Sequence, residues 1–299
     1  MEEINRIYHS FDAVNYDAEH LEIRLLWPGL WAEMMKNLPQ KKWRILDFGC
    51  GTGFEAEQAL QTLNSNTDFI VAYDPSPEML AQAKRRLGDD PKVIFSSDQE
   101  AIRTHGPYNL MITNSVLHHL ADIEETISNL QSHLSDNAYW LSGHEPSARF
   151  YKNAECVHLY QEYAVYQERM KWFRPDRYIG KIKAAFGWNS LSATAHKALE
   201  YGLFAKLPSA IVIDRLVDFH VHHLEDEINA GRGLDLTNIQ SALNPQWRLL
   251  WSKTYSYLGS FSEYRASRRW VHRAHLLQKK FPADGANFCA IWLLSNPSL

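Results

Sequence analysis

The sequence predicts an α/β protein whose mostly parallel β-sheet carries helices on both faces. Short apolar runs alternate with helix-like segments over residues 42–147, and this alternation is typical of parallel strands joined by right-handed helical crossovers. The first apolar run ends in an acid and a cluster of glycines, and the second ends in another acid. Both features are typical of a ligand site at the carboxyl edge of such a sheet.

Seven strands are predicted in chain order from short runs of apolar residues. They lie at 45–47, 69–73, 92–95, 108–113, 138–142, 247–258 and 287–294. A helix is predicted to begin near Pro77, and another is predicted over 262–281. Asp122 is predicted to cap the helix that follows the fourth strand, with Glu125 three residues later as its reciprocal partner.

Two further segments are predicted to be helical. In residues 1–40, Leu and Met recur at helical spacing, and Pro28–Gly29 is expected to divide them into two helices. Residues 148–245 break the alternation and are too long for a simple connection. The predicted domains are an N-terminal helical lid (1–40), a ligand-binding core (41–147), a helical cap inserted between strands 5 and 6 (148–245), and the C-terminal part of the sheet (246–299).

The glycine cluster carries the clearest chemical signal. Gly49, Gly51 and Gly53 follow Asp47 with the spacing G-x-G-x-G, which lets the backbone turn with positive φ and lets a ligand approach the main chain. This spacing differs from the G-x-G-x-x-G of nicotinamide dehydrogenases and disfavours that activity. Asp74 comes 21 residues after Gly53, where an acid can accept hydrogen bonds from both hydroxyls of a ribose.

These motifs resemble the class I S-adenosylmethionine-dependent methyltransferases over about residues 41–147. The resemblance implies a Rossmann-like, seven-stranded mixed sheet with an antiparallel last strand, and S-adenosyl-L-methionine as the cofactor. It implies that Asp98 bonds the adenine amino group, with Gln99 as a neighbour that could substitute. It also implies that the loop from Asn114 lines the methionine end of the cofactor. Asn109 departs from the family, which often has Asp there.

An N-terminal segment adds two tyrosines to the predicted site. Residues 11–17 resemble a segment that closes over the cofactor in many small-molecule methyltransferases. Tyr8 and Tyr16 could therefore contact the methionine carboxylate or the substrate, or they could only anchor the first helix. The predicted cofactor-binding residues are Tyr8, Tyr16, Asp47, Gly49, Gly51, Gly53, Asp74, Pro75, Met79, Asp98, Gln99 and Asn114.

Three histidines are candidates for a general base. His118 and His119 follow the fourth strand and His144 follows the fifth, so all three lie near the edge of the sheet where ligands bind. Histidine titrates near neutral pH and can accept a proton there. The alternatives are wall residues or loop histidines bonded to backbone, because methyl transfer can also proceed by proximity alone.

The predicted cap offers candidate substrate contacts. Tyr160 and Tyr163 share one helical face and belong either to an aromatic pocket for an apolar or planar substrate or to the cap's own core. Arg149 could bind a carboxylate or phosphate. His220 and His223 could contact substrate, and with Glu227 they could hold a divalent ion; because methyl transfer needs no metal, we predict none.

A basic segment lies near the C-terminus. It carries Arg265, Arg268, Arg269, Arg273, Lys279 and Lys280 against the single acid Glu263. It is interpreted either as a docking surface for nucleic acid or phosphate or as an amphipathic helix packed on the sheet. The second interpretation is the simpler one.

Composition limits the class of function. The chain has 299 residues, a formal net charge of −4 and three scattered cysteines. The charge argues against a general nucleic-acid binder, and the cysteines suit a reducing cytoplasm. The acidic N-terminus does not match a secretion signal, and no apolar run is long enough to span a membrane. We expect a cytoplasmic protein without a membrane partner and leave the oligomeric state open.

The predicted function is transfer of a methyl group to an O, N or C atom of a small aromatic or apolar metabolite, which the N-terminal segment and the aromatic cap could enclose. One alternative is methylation of RNA or protein. Residues 114–117 lack the N-P-P-Y-type motif, which by family resemblance lowers the case for amine methylation of bases or glutamine. A non-catalytic cofactor-binding module is a third possibility.

Overall fold

The computed structural model describes residues 2–171, 190–218, 233–243, 246–259, 263 and 266–295. It contains the predicted seven-stranded mixed sheet, in the order β3-β2-β1-β4-β5-β7-β6. The strands are β1 (Trp43–Phe48), β2 (Thr67–Tyr73), β3 (Val93–Ser96), β4 (Tyr108–Asn114), β5 (Leu134–Pro146), β6 (Trp247–Tyr255) and β7 (Asn287–Leu294). The α/β fold class and the Rossmann-like sheet are therefore confirmed.

Strand direction explains where a ligand site can form. Strands β1 to β5 pair in parallel, so their carboxyl ends meet at one edge. Strand β7 runs antiparallel to β6, because Ala286 N donates to Ser256 O and Ser295 N donates to Gln246 O. The sheet order also changes direction at β1, since β2 lies on one side of it and β4 on the other, and such a switch point opens a crevice.

The helices are numbered in chain order over the described residues. They are α1 (Glu2–Asp12), α2 (Tyr16–Glu19), α3 (Leu21–Met35), α4 (Phe54–Leu63), α5 (Pro77–Leu87), α6 (Glu100–His105), α7 (Ile123–Gln131), α8 (Ala148–Lys152), α9 (Ala154–Lys171), α10 (Ser190–Glu200), α11 (Ala210–Val217), α12 (Leu236–Ala242) and α13 (Arg268–Lys280). The described residues between β5 and β6 are mostly helical. Asp122 caps α7 as predicted, since its Oδ1 accepts from Glu125 N at 2.8 Å.

The predicted helix break at Pro28–Gly29 is wrong. Helix α3 runs through both residues, although an internal proline removes a hydrogen bond and costs about 3 kcal/mol. Pro28 lies on the exposed face of α3, whereas Trp27 and Trp31 are fully buried. Burial of this aromatic face outweighs the local cost, and the chain breaks instead at residues 13–15, between α1 and α2.

The chain divides into two compact units. The sheet unit comprises 13–145, 234–253 and 288–299, and the helical unit comprises 1–12, 146–233 and 254–287. The predicted lid, 1–40, is thus split between them. The reason is packing, because Ile4 of α1 clusters with Ile213 and Val217 of α11, whereas α3 packs with α4. The other predicted domain boundaries stay predictions.

Each unit has its own core. In the sheet unit, Trp140 stacks on Trp292 with ring centroids 4.2 Å apart. In the helical unit, Tyr163 of α9 meets Trp270 of α13 edge-on at 5.1 Å. All three cysteines are free and buried. Among the described residues, no helix is both long and apolar enough to cross a membrane.

Candidate cofactor and active site

The glycine loop connects β1 to α4 and forms the floor of the candidate site. Gly49, Gly51 and Gly53 all have positive φ, at +74°, +52° and +80°, which glycine adopts without steric cost. A Cβ at Gly49 would lie 2.6 Å from Val116 Cγ2, and one at Gly53 would lie 2.9 Å from Ala83 Cβ. A Cβ at Gly51 would meet nothing within 4 Å. Two glycines therefore permit close packing, and the third faces open space.

Asp74 lies beside this loop at the end of β2. Its Oδ2 accepts a hydrogen bond from Gly51 N at 2.9 Å, and its Oδ1 accepts one from Ser76 N at 2.8 Å. Burial raises the pKa of Asp74 to about 6, against the effect of these two donors. A carboxylate can accept about four hydrogen bonds. Asp74 therefore keeps acceptor capacity for two ribose hydroxyls while it shapes the loop.

A cleft opens above the loop within the sheet unit, with about 400 Å³ of empty space that includes open solvent. It is lined by Tyr16, Asp17, His20, Ile23, Arg24, Gly49, Cys50, Gly51, Thr52, Phe54, Glu55 and Asn114. These residues come from α2, α3, the glycine loop, the start of α4 and the end of β4. Four predicted cofactor residues, Tyr16, Gly49, Gly51 and Asn114, are thus brought together at one cleft.

Buried carboxylates make the cleft suited to a cation. Burial raises the pKa of Glu55 to about 7, although Asn114 Nδ2 donates to its Oε1. Burial, and then the nearby Glu55 and Asp74 carboxylates, raise the pKa of Asp47 well above its usual range. Asp47 Oδ2 and Asn114 Oδ1 are buried and have no hydrogen-bond partner among the described residues. These two oxygens therefore lack a hydrogen-bond donor.

The predicted cofactor supplies what this site lacks. S-adenosylmethionine carries a sulfonium and an ammonium group, and desolvated carboxylates are stabilised by nearby positive charge. The Asn114 and Asp47 oxygens could accept from its ammonium group, since buried polar atoms are costly to leave unpaired. Arg24, which lines the same cleft, could bind its carboxylate. The residues present fit this cofactor.

A polar network ties α2 to the glycine loop. Asp17 accepts from Thr52 Oγ1 at 2.7 Å and forms an ion pair with Arg86 of α5. Arg86 also donates to Thr52 O at 2.8 Å and to Glu57 Oε2 at 3.0 Å. Sequence reasoning missed Asp17, Thr52 and Arg86, because the network joins residues up to 69 positions apart.

Glu145 is the other functional candidate that the sequence analysis missed. Its carboxylate is fully buried at the end of β5 and accepts from the backbone N–H groups of Val116, Leu117 and His118, at 2.9, 2.9 and 3.2 Å. It also lies 2.8 Å from His118 Nδ1. The available signal was an acid three residues after the predicted fifth strand, near the carboxyl end of the sheet. Glu145 fixes the loop that follows Asn114.

The same bonds keep Glu145 ionised. Although burial opposes ionisation, the charge and hydrogen bond of His118, with the Leu117 and Val116 N–H groups, hold the pKa of Glu145 below its usual range. Through Val116, whose side chain packs on Gly49, the carboxylate also supports the glycine loop. Glu145 thus stabilises the site without lining the cleft.

The three predicted bases differ in environment. Burial lowers the pKa of His144 to about 3, which corrects the expectation that it titrates near neutral pH and makes it a weak proton acceptor there. His118 is paired with Glu145. The ring of His119 lies 4.0 Å from that of His118 and is partly exposed. A catalytic role for any of the three stays a prediction.

Other predicted cofactor residues lie outside the residues that line the cleft. Asp98 is exposed, and its Oδ1 accepts from Glu100 N at the start of α6. Gln99 and Pro75 are also exposed, whereas Met79 is buried in α5. Tyr8 packs against the Ile4 cluster of the helical unit. Their contacts with a cofactor stay predictions.

The predicted substrate residues of the helical unit are described only in part. Tyr163 belongs to the buried cluster around Phe150 and Trp270, and Tyr160 packs against it. This is the arrangement expected of the unit's own core. Arg149 is exposed and donates to Asp284 Oδ1 at 3.2 Å. His220 and His223, with the predicted acid Glu227, lie outside the described residues.

Comparison with known proteins identifies the class. Residues 46–140 match the family described as methyltransferase domain. This match covers the glycine loop, Asp74 and strands β2 to β4, and the fold agrees with it. Residues 46–140 therefore carry a methyltransferase domain, and the sheet and glycine loop are those of the class I S-adenosylmethionine-dependent methyltransferases.

Individual relatives agree with this assignment. Malonyl-[acyl-carrier protein] O-methyltransferase of Halalkalibacterium halodurans is 28% identical over 204 residues, covering 67% of this chain and 68% of that protein. The Bacillus anthracis protein of the same name is 36% identical over 92 residues, covering 31% of this chain and 34% of that protein. The chain thus spans about a third of the second relative.

A solved structure agrees with the fold. It is a chain from the complex between the Haloferax volcanii Trm112 methyltransferase activator and a methyltransferase. The two chains superpose with a TM-score of 0.51 and 11% sequence identity, covering 96% of this chain and 98% of that one. At this identity, the likeness concerns the fold alone.

Replacing Asp74 with Ala is expected to weaken cofactor binding by about 1–3 kcal/mol, because ribose hydroxyls and the Gly51 and Ser76 N–H groups lose their acceptor. Isothermal titration with S-adenosylmethionine measures this loss. Asp89→Ala, an exposed acid of the same unit, is the control. Unchanged affinity in Asp74→Ala would remove Asp74 from the ribose site.

Cofactor affinity is expected to fall about five- to tenfold between pH 8 and pH 6. The pKa values of Glu55 and Asp74 are about 7 and 6, so both lose negative charge as the pH falls, and a cationic ligand favours the charged forms. Titration calorimetry at the two pH values measures the change, which Glu55→Gln should reduce. Equal cofactor affinity at the two pH values would contradict the proposed attraction between the buried carboxylates and the cationic cofactor.

The ligand-free protein should show the opposite trend. The folded state holds a proton on Glu55 up to about pH 7, whereas an unfolded chain releases it near the ordinary value of 4.5. The folded state therefore binds more protons in this window, and the contribution of Glu55 to stability falls as the pH rises through it. Affinity and intrinsic stability thus change in opposite directions.

Proposed function

We propose that this enzyme transfers the methyl group of S-adenosylmethionine to an oxygen atom of a small acyl compound. The identity of the methyl donor is supported by the cleft over Gly51, with Asp74 at the glycine loop and buried hydrogen-bond acceptors on Asp47 and Asn114. The acceptor class is supported by the relatives, which are named for methylation of a malonyl group held on an acyl-carrier protein.

The residues of the chain have binding and orienting roles in this proposal. The bound cofactor supplies a methyl group made electrophilic by the sulfonium, so positioning accounts for much of the catalysis. Asp74 and the glycine loop hold the ribose, and Glu55 faces the positive charge. Glu145 holds the loop at residues 116–118 against Gly49. A carboxylate acceptor is already ionised at neutral pH and needs no base. A hydroxyl acceptor would transfer its proton to His119, because His118 is paired with Glu145.

A transfer assay tests this proposal. The purified protein is supplied with cofactor carrying an isotopically labelled methyl group, and with malonyl-coenzyme A, malonyl acyl carrier protein, or a cell extract. Mass spectrometry then follows the label in the small-molecule, RNA and protein fractions. We expect label on a small acyl group, as a base-labile methyl ester. Label in RNA or on a protein side chain would overturn the proposal in favour of a macromolecular acceptor.

A further inference from the structure

Helix α13 carries cations that the cofactor site does not use. It contains five Arg and Lys residues and two His residues, and it contains no acid. Two of the cations face α9, where Arg273 pairs with Glu162 and Lys280 pairs with Glu155. Arg268 and Lys279 are exposed and form no ion pair within the described part of the chain. The helix therefore has one neutralised side and one side with unbalanced positive charge.

The unbalanced side forms a continuous stripe. Arg268, His272, Leu276 and Lys279 are separated by four, four and three positions, which places them on one face of a helix. All four are exposed, and Leu276 is 54% exposed. The opposite face, with Trp270, is buried in the core of the helical unit. We call this stripe the basic face of α13.

The composition of the basic face favours a protein partner over a nucleic acid. An exposed apolar side chain flanked by charges is the pattern of an interface with an apolar anchor and a polar rim. Nucleic acids are instead bound by cations together with polar groups that contact phosphate or aromatic residues that stack on bases, and the basic face has no Phe, Tyr or Trp and is interrupted by the apolar Leu276. The face is about 16 Å long at 1.5 Å per residue, a length suited to one helix of a small protein. The positive charge of the basic face is complementary to the negative charge of an acidic helix.

We propose that the basic face of α13 docks an acidic helix of a carrier protein, to which the methyl acceptor is attached. This inference rests on the proposed function, in which the acceptor is a small acyl group. Opposite charges on the two partners would steer their encounter, and Leu276 would supply an apolar contact. The face would then serve delivery of the acceptor, whereas the methyl donor binds at the glycine loop.

The test compares one acyl group in two forms, malonyl acyl carrier protein and malonyl-coenzyme A. The double variant Arg268→Glu/Lys279→Glu reverses two charges on the basic face. The matched control, Lys36→Glu/Lys206→Glu, reverses two exposed lysines elsewhere. Fluorescence anisotropy of labelled malonyl acyl carrier protein measures its Kd without requiring turnover, and steady-state kinetics measure KM for each acceptor.

We expect the double variant to raise the Kd and KM for the carrier-bound acceptor at least tenfold, with KM for malonyl-coenzyme A and the affinity for S-adenosylmethionine unchanged. Added salt should weaken carrier binding by the parent protein but not by the double variant. Leu276→Ser should also weaken carrier binding. The control should match the parent protein in every measurement.

Three results would overturn the inference. The first is a carrier Kd that the double variant leaves unchanged, and the second is an equal loss in the control. The third is tighter binding of a labelled polyuridine than of the carrier, lost in the double variant, which would assign the face to nucleic acid. If neither acceptor is methylated but the carrier still binds through this face, the proposed function fails while the docking surface stands.

Discussion

Replacing Glu145 with Ala is expected to lower the free energy of unfolding by about 3–5 kcal/mol, the usual cost of removing one partner from a buried charged pair. The variant leaves the N–H groups of Val116, Leu117 and His118 without their acceptor in a buried position, and each such group costs about 1–3 kcal/mol. Urea unfolding followed by tryptophan fluorescence measures the loss.

Glu145→Gln separates charge from hydrogen bonding in this prediction. It keeps one carbonyl oxygen for the backbone donors but places an NH₂ group near His118, so its loss should be smaller than that of Glu145→Ala. Glu124→Ala, at an exposed position of α7, should change stability by no more than about 0.5 kcal/mol. A Glu145→Ala protein as stable as this control would show that the loop does not depend on the carboxylate.

Glu145 should also affect catalysis indirectly. The loop that it holds places Val116 against Gly49, so loosening the loop should raise KM for S-adenosylmethionine. Glu145→Gln keeps more of the hydrogen bonds, so a measurement of its KM for S-adenosylmethionine should show a smaller rise. Loss of stability with no change in KM for the cofactor would restrict Glu145 to a role in folding.

Replacing Gly51 with Ala is expected to weaken S-adenosylmethionine binding by about 1–3 kcal/mol, the range found for overpacking a filled site, which is about 5- to 150-fold in Kd. A Cβ at Gly51 meets no protein atom within 4 Å, so it would project into the space that the cofactor is proposed to fill. Titration calorimetry of the purified variant measures the loss.

Gly88 provides a matched control. It also has positive φ, at +63° against +52° for Gly51, and a Cβ there would also meet nothing within 4 Å. It lies at the C-terminal end of α5, away from the residues that line the cleft. Both substitutions strain the backbone at a positive φ, and only Gly51→Ala should lose cofactor affinity. Equal affinities in the two variants would place the cofactor elsewhere.

Short-range patterns in the sequence were sufficient for the cofactor loop. The alternation of glycines after Asp47 and the spacing to Asp74 act over a few residues and one strand–helix–strand unit, so they specify the turn directly. The last strand, Asn287–Leu294, was predicted with its observed bounds because it is a continuous apolar run. The Asp122 cap followed from the same kind of local chemistry.

Tertiary packing altered predictions that depended on local preference. Pro28 interrupts helices in isolation, yet α3 continues because its opposite face, with Trp27 and Trp31, is buried. His144 has a pKa near neutral in water, yet burial lowers it to about 3. In both cases the surroundings contribute more free energy than the residue's own preference, and these surroundings come from distant parts of the chain.

The sequence by itself determined the fold class, the glycine loop and the acid at the end of β2, because each depends on residues close together in the chain. The methyl donor followed from the family resemblance that these motifs carry. Only the tertiary structure decided that Glu145 supports the loop 27–29 residues before it and that Asp17 pairs with Arg86. It also decided which cations of α13 are neutralised. Charge pairing and burial act through space, and no local pattern specifies which distant groups will meet.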